Sequence, residues 1–325
     1  MTIINNKNSL FLPIILGPTA TGKTKLSLAI ADNFATEIIS ADSMQVYKDM
    51  DIGTAKASKD MQNIVPHHMI DILTPDEEFS IASYQEKVDK LIPDIYANNR
   101  IPLLVGGTGL YIKAVIEGFL LPEMDNNHKL RKILRQQAKE KGNEYVHKKL
   151  AKIDPELSQK LHPNDLRRVI RGIEIYEQTG NTKTYYIKKQ NKRPPKYQAL
   201  KIGLYRDREQ LYKKINKRVE KMIDEGLVKE VKYLLATYKL SKTARQALGY
   251  KEIINYINNK YKLNEAIKII KRDTRHLAKK QFTWFNRDKS IIWFNLSSLK
   301  QDYVIENCIK LIKENISEFK NQRNY

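Results

Sequence analysis

The chain has 325 residues, of which 41% are hydrophobic, enough for a folded core and too many for a disordered chain. No apolar run approaches the roughly 18 residues needed to cross a bilayer, and the first residues lack a signal-peptide pattern. The single cysteine, Cys308, excludes an intramolecular disulfide and suits a reducing compartment. We therefore expect a cytoplasmic protein without a membrane anchor.

Charge is distributed unevenly along the chain. The formal net charge is +21, made up of −5 over residues 1–124, +10 over 125–195 and +16 over 196–325. This asymmetry favours a polyanionic partner such as a nucleic acid. A proteome of generally basic composition would produce the same net charge, so charge alone does not decide whether the partner is a nucleic acid. The basic stretches also lack the bulky aromatic face of a membrane-binding helix.

The first part of the chain alternates short apolar runs with helical patterns. Apolar runs at 10–16, 37–40 and 101–105 predict buried strands, and the spacing over 25–34 and 81–96 predicts helices. This alternation predicts the α/β class, with a parallel sheet flanked by helices. Ligands of such sheets bind at the carboxyl ends of the strands.

A glycine-rich loop, GPTATGKT, follows the first predicted strand, and we call it the phosphate loop. In this motif, backbone N–H groups and the N-terminus of the next helix bind phosphate oxygens. Lys23 adds a cation, and the Thr24 hydroxyl can ligate Mg²⁺. The pattern predicts a di- or triphosphate ligand without deciding which. The expected diphosphate-binding residues of the loop are Gly17, Pro18, Thr19, Ala20, Thr21, Gly22, Lys23 and Thr24.

Two further segments follow predicted strands. Asp42, in SADSMQ, is a candidate for a Mg²⁺ ligand, for a general base, or for a solvated loop residue. Thr108, in VGGTGLY, lies either in a tight turn or at a substrate contact. An ATPase would usually have a carboxylate at the end of the third strand, and LLVGGTG has none. The set of site residues that an ATPase usually has is therefore incomplete in this sequence.

Beyond Pro122 the pattern becomes helical and basic. One predicted helix face consists of Leu130, Ile133, Leu134 and Ala138. In NDLRRVIRG, Arg167 and Arg171 share a helix face, which suits neighbouring phosphates or simply a solvated surface. We interpret the lysine-rich stretch 187–195 as a linker. The apolar run at 199–205 that follows predicts a strand that returns to the sheet. We therefore expect three segments: the first part of a phosphate-loop α/β core (1–124), an inserted helical subdomain (125–195), and the second part of the core with basic C-terminal helices (196–325).

Together these segments resemble the tRNA dimethylallyltransferase (isopentenyltransferase) family of bacterial type. The matching stretches occur in the family's order from residue 13 to about residue 290. They are GPTATGKT, ISADSMQVYKDMDIGTAK, PHHMIDI, EFSIASY, IPLLVGGTGLYIKA, HPNDLRRVIRGIEIYEQTG, RQALGYKE and TRHLAKKQFTWF.

The resemblance implies transfer of a dimethylallyl group from dimethylallyl diphosphate to the N6 amine of adenosine 37, just 3′ of the tRNA anticodon, with Mg²⁺ as cofactor. By analogy Asp42 is the general base, Thr108 positions the reacting groups, and Arg208 and Arg218 bind the diphosphate. The helical insertion is expected to bind the anticodon stem-loop. Lys214 and Lys280 stand where many relatives have arginine. The implied tRNA-contacting residues are Asp42, Ser43, Met44, Gln45, Thr108, Arg131, Arg167, Arg168, Val169, Ile170, Arg171, Arg245, Gln246, Ala247, Leu248, Gly249 and Tyr250.

Three other functions remain alternatives at this stage. A small-molecule or nucleoside kinase also needs a phosphate loop and a carboxylate, but it does not explain a basic insertion. A prenyltransferase acting on free adenine nucleotides would not need the insertion either. A non-catalytic RNA-binding protein would not need Lys23, Thr24 and Asp42 together. Nothing in the sequence demands more than a monomer.

Overall fold

The computed structural model describes residues 9–122 and 128–323. The chain divides into two compact units: residues 117–195 form the helical unit, and the segments on either side of it form the α/β unit. The boundary expected between residues 124 and 125 lies outside the described residues.

Six parallel strands form one sheet in the α/β unit, in the order β3-β2-β4-β1-β5-β6. The predicted parallel sheet is therefore confirmed, with β1, β2 and β4 at the three predicted runs and β5 at the returning run. The carboxyl ends of these parallel strands meet at one edge of the sheet. The strands are β1 (Leu10–Leu16), β2 (Thr36–Ala41), β3 (His67–His68), β4 (Ile101–Gly106), β5 (Tyr197–Tyr205) and β6 (Ile292–Asn295).

Both faces of the sheet are covered by helices, which explains why the inner strand β1 is apolar throughout. Successive side chains of a strand point to opposite faces. In β1, Leu12 and Ile14 pack in the cluster that contains α3 (Ile81–Ala97), whereas Phe11 and Ile15 pack in the cluster that contains the C-terminal helix α15 (Gln301–Arg323). The helices before the insertion are α1 (Lys23–Ala31), α2 (Lys59–Ile64), α3 (Ile81–Ala97) and α4 (Gly109–Glu117).

The second part of the α/β unit consists mainly of helices, and the last of them is α15. A separate core cluster joins α10, α11, α13 and α14 to the segment that follows β2, through Val46, Tyr47 and Met50. The helices are α10 (Arg208–Asp224), α11 (Leu227–Thr237), α12 (Lys242–Arg245), α13 (Tyr250–Ile257), α14 (Leu263–Phe285) and α15 (Gln301–Arg323). Among the described residues, no helix combines the length and apolar composition needed to span a membrane.

The helical unit packs around Leu134, Val146, Leu150 and Val169. Its helices are α5 (His128–Lys141), α6 (Asn143–Ile153), α7 (Pro155–Lys160), α8 (Leu166–Thr179) and α9 (Lys183–Asn191).

Two sequence-based expectations about this unit were wrong. Ile133 is 53% exposed, because one residue further along a helix turns the side chain by about 100° from the buried Leu134. The stretch 187–195 is not wholly a linker, since α9 continues through Asn191. This lysine-rich helix begins at Lys183 and is capped by Thr182, whose hydroxyl accepts a bond from the Tyr185 N–H.

Candidate active site

The phosphate loop joins β1 to α1 at the carboxyl edge of the sheet. Gly17 has φ 143°, and a Cβ there would lie 2.2 Å from the carbonyl oxygen of Leu204, so only glycine fits beside β5. Gly22 adopts the left-handed conformation immediately before α1. The buried Thr21 hydroxyl donates to the Pro18 carbonyl at 2.9 Å. These restraints hold the loop in a single shape at the start of the helix.

Lys23 folds back over the loop that precedes it. Its ammonium group donates to the carbonyl oxygens of Gly17 and Pro18 at 3.0 and 2.8 Å. Burial and, to a smaller extent, the positive charge of Arg218 lower the pKa of Lys23 to about 8, although the charge of Asp42 acts in the opposite direction. Two cations and one carboxylate therefore interact at this edge of the sheet.

Asp42 and Thr108 come together because β2 and β4 are neighbours that end at the same level. An Asp42 carboxylate oxygen accepts the Met44 N–H at 2.9 Å. The Thr108 hydroxyl accepts the Ser43 N–H at 3.3 Å, and its own N–H donates to the Ala41 carbonyl at 3.1 Å. Asp42 and Thr108 are both half-buried, so each keeps a surface toward solvent. A carboxylate and a hydroxyl thus lie side by side next to the phosphate loop.

The structure separates the two arginines that were expected to bind diphosphate. Arg218 is half-buried and its guanidinium donates to the Thr54 carbonyl at 3.4 Å. Burial lowers the pKa of Arg218, and the charge of Asp42 opposes this effect. Arg208, at the first turn of α10, is exposed, and its guanidinium lies 5.3 Å from the centre of the Tyr212 ring. Only Arg218 joins the electrostatic cluster with Lys23.

The segment that follows Asp42 is partly enclosed. Ser43, Met44 and Gln45 are all half-buried. The Gln45 amide oxygen accepts the Ser40 hydroxyl at 2.9 Å, and its nitrogen donates to the Thr54 carbonyl at 3.4 Å. These contacts fix a short polar surface next to the carboxylate.

Gln281 is a site residue that the sequence reasoning missed. Its amide oxygen accepts the Thr19 N–H of the phosphate loop at 2.9 Å, and its nitrogen donates to the Gly107 carbonyl at 3.0 Å. One side chain of α14 therefore connects two glycine-rich loops. The stretch TRHLAKKQFTWF contains this residue, but no local pattern distinguishes it from its neighbours. Lys214 and Lys280, the two replacements of expected arginines, are both exposed.

The RQALGY stretch is divided between surface and core. Arg245 and Gln246 are exposed and Leu248 is half-buried. Ala247 and Gly249 are buried, as is Tyr250, whose hydroxyl donates to the Glu230 carboxylate at 2.6 Å. The buried side chains have no surface available for an RNA contact.

In the helical unit, a buried carboxylate organises two of the expected RNA-binding arginines. Glu174 is fully buried, and its oxygens accept bonds from Arg131 at 2.7 and 3.0 Å and from Arg171 at 2.8 Å. Arg167 and Arg168 are exposed on the same helix as Arg171. The remaining two expected residues pack in the core of the unit: Val169 and Ile170.

A parallel sheet with a glycine-rich loop and an adjacent carboxylate places this chain among the α/β proteins that have their site at the carboxyl edge of the sheet. A family model described as IPP transferase matches residues 45–288, and one described as isopentenyl transferase matches residues 10–70. The chain belongs to the IPP transferase family.

Curated relatives cover nearly the whole chain. The tRNA dimethylallyltransferase of Halothermothrix orenii is 61% identical over 95% of this chain and 94% of its own length. That of Carboxydothermus hydrogenoformans is 49% identical over 92% of this chain and 96% of its own. The crystal structure of a full-length tRNA isopentenylpyrophosphate transferase from Bacillus halodurans superposes with a TM-score of 0.73 at 40% identity, covering 97% of this chain and 99% of that one. A eukaryotic dimethylallyltransferase acting on tRNA gives a TM-score of 0.84 at 29% identity, over 95% of this chain and 80% of that one.

Proposed function

We propose that this protein transfers a dimethylallyl group from dimethylallyl diphosphate to the N6 amine of adenosine 37 in tRNA and releases diphosphate. The observation that carries the proposal is the cluster at the carboxyl edge of the sheet. There Asp42 interacts electrostatically with Lys23 and Arg218, beside the phosphate loop. The family to which the chain belongs and its tRNA-modifying relatives support the same reaction.

The chemistry of the acceptor fits a carboxylate at this position. The exocyclic amine of adenine is a weak nucleophile because its lone pair is delocalised into the ring. As the N6–carbon bond forms and the carbon–oxygen bond to diphosphate breaks, Asp42 accepts the proton that the amine loses. Thr108 lies beside Asp42 and orients the reacting groups through its hydroxyl.

The leaving diphosphate needs positive charge and hydrogen-bond donors. The phosphate loop supplies backbone N–H groups and the N-terminus of α1, and Lys23 and Arg218 supply cations. Each of these groups is preorganised before the charge develops, so little reorganisation is required when the bond breaks.

A magnesium ion fits the donors that this site offers. Thr24 is exposed on the first turn of α1. In the described part of the chain, no group of three His, Cys, Asp or Glu side chains is arranged to hold a metal. The ion would therefore be held by the Thr24 hydroxyl together with diphosphate oxygens and water, the hard ligands that Mg²⁺ prefers. When bound, it would neutralise charge on the leaving group.

For tRNA, exposed basic residues are the better candidates. Arg167 and Arg168 in the helical unit and Arg245 in the α/β unit are exposed, whereas Val169, Ile170, Ala247, Gly249 and Tyr250 are buried. We therefore propose that the exposed arginines contact the tRNA backbone, whereas Asp42 and Thr108 contact the reacting adenosine. Because the N6 amine is stacked within the anticodon loop, the target base must leave its stack to reach Asp42. We propose that a monomer suffices.

The test combines the purified protein with Mg²⁺, dimethylallyl diphosphate and unmodified tRNA, and maps modified nucleosides by mass spectrometry. We expect one dimethylallyl group at adenosine 37, an equal amount of released diphosphate, and no reaction after the metal is chelated. ATP consumption without RNA would identify a kinase instead. Prenylation of AMP as efficient as that of an anticodon stem-loop would overturn the assignment of tRNA as acceptor.

A further inference from the structure

Three consecutive backbone N–H groups converge on the carboxylate of Glu230 in α11. One oxygen accepts the N–H groups of Asp51 at 3.1 Å and Ile52 at 2.7 Å. The other accepts the N–H of Gly53 at 3.1 Å and the hydroxyl of Tyr250 at 2.6 Å. Both oxygens are thus bonded twice, and bonds to a charged acceptor are stronger than those to a neutral one.

The same loop is fixed from a second side. A Cβ on Gly53 would lie 2.4 Å from the ring of Tyr250, so the backbone lies directly against that ring. The next residue, Thr54, directs its carbonyl toward the side chains of Arg218 and Gln45, which both donate to it at 3.4 Å. The position of this carbonyl follows from the way the preceding three residues are anchored.

Arg218 links the anchored loop to the site. Its guanidinium interacts electrostatically with Lys23 and Asp42. A half-buried guanidinium needs acceptors in a defined geometry, because its donors form a rigid planar fork. A displaced Thr54 carbonyl would let the guanidinium rotate away from its present orientation.

We propose that Glu230 is a positioning residue for the donor diphosphate: it anchors residues 51–53 and, through the Thr54 carbonyl, orients Arg218. This inference rests on the proposed function, in which Arg218 is a diphosphate ligand. Glu230 itself touches neither substrate.

The test is Glu230→Gln in the full chain, measured by calorimetric titration with inorganic diphosphate and Mg²⁺. Glutamine keeps one acceptor oxygen and places an NH₂ group against the remaining donors. We expect the Kd for diphosphate to rise about tenfold, the scale of losing a charged acceptor. The KM for dimethylallyl diphosphate should rise in parallel, while kcat changes less than about threefold because the reacting groups are untouched.

A double-mutant cycle separates positioning from a merely structural role. In an Arg218→Gln background, Glu230→Gln should change the diphosphate Kd by less than about twofold, because both substitutions remove the same contribution. Tyr250→Phe, which deletes one of the four bonds, should have an intermediate effect. The matched control is Glu225→Gln, an exposed glutamate just before α11, with no change expected.

Three results would overturn the proposal. The first two are a lower Tm of Glu230→Gln with an unchanged diphosphate Kd, and an equal rise in Kd with and without Arg218. The third is an unchanged diphosphate Kd in Arg218→Gln alone, because Arg218 would then not be the diphosphate ligand on which the proposal depends. Failure of the proposed function is seen separately, as a wild-type protein that binds diphosphate but transfers nothing to tRNA.

Discussion

Asp42 illustrates how much one side chain depends on its surroundings. It follows β2 directly, bonds to the Met44 N–H and lies near Lys23 and Arg218. The positive charges of Lys23 and Arg218 also attract the anionic dimethylallyl diphosphate, so the carboxylate and the diphosphate site are electrostatically linked.

Replacing Asp42 by asparagine should reduce dimethylallyl transfer about 100-fold or more, the scale of a lost general base. Asparagine keeps an oxygen for the Met44 N–H, so the local fold should persist. Single-turnover transfer measures the loss, and filter binding should show tRNA affinity retained. Asp76→Asn, at an exposed position, is the control and should behave as wild type. Unchanged turnover in Asp42→Asn would refute the role of base.

Glu174 shows how a buried charge is tolerated in the helical unit. Burial raises the pKa of Glu174, but hydrogen bonds and charges from Arg131 and Arg171 outweigh this effect and hold the pKa below its ordinary value of 4.5. A carboxylate whose pKa is lower in the folded state stabilises the fold above its unfolded pKa, and this stabilisation disappears as pH falls through the folded value.

We expect Glu174→Gln to lower the free energy of unfolding by about 2 kcal/mol near neutral pH, because two partly exposed arginines lose a charged acceptor. The difference from wild type should shrink as the pH falls from about 4.5, the ordinary pKa, toward the lower pKa at which the native carboxylate becomes protonated. Urea denaturation at a series of pH values measures both. Glu177→Gln, exposed on the same helix, is the control, and an equal pH dependence in both variants would contradict the assignment.

At the scale of elements, the site depends on a helix that is distant in sequence from the loops it holds. Gln281 of α14 bonds to the loop after β1 and to the loop after β4. The packing of α14 in the α/β unit, through Ala266, Ile270 and Ala278, places this glutamine at the sheet edge. The spacing between the two loops is therefore decided by a third element.

Gln281→Ala should reduce kcat/KM for dimethylallyl diphosphate about tenfold or more, because two hydrogen bonds between the loops are lost. The residue lies near the C-terminal end of α14 and is only half-buried, so the Tm should fall little. The matched control is Asn264→Ala, an exposed amide at the other end of the same helix. An equal kcat/KM in both variants would show that the hydrogen bonds of Gln281 to the two loops have no role in the reaction.

At the scale of the whole molecule, the net charge of +21 is the dominant feature. Binding of an anticodon stem-loop should weaken steeply with salt, by about 50-fold between about 50 and 200 mM if about four phosphates are neutralised. Arg167→Ala should reduce the slope of log Kd against log salt by about 0.7, the value for one contact to single-stranded RNA. Lys310→Ala, at an exposed position of α15, removes the same charge elsewhere and should leave the slope unchanged.

Much of the fold could be predicted because its signals are local. The continuous apolar runs of β1, β2 and β4 and the glycines after them are properties of short segments, and they predict buried strands and close backbone approaches. Asp42 and Thr108 were recognisable for the same reason, since each lies within two residues of the end of a strand. Basic C-terminal helices were expected, but the bounds and role of α15 were not predicted because its sequence carries no motif.

The sequence by itself determined the α/β class, the phosphate loop and the resemblance to a tRNA-modifying family, since backbone conformation and strand burial are encoded over a few residues. Only the tertiary structure decided which side chains cooperate. Gln281 and Glu230 act on loops about 174 and 178 residues away in sequence, a separation over which no periodic pattern extends. The tertiary structure also decided that Tyr250 and Val169 are buried, because burial depends on what packs against a residue and not on the residue alone.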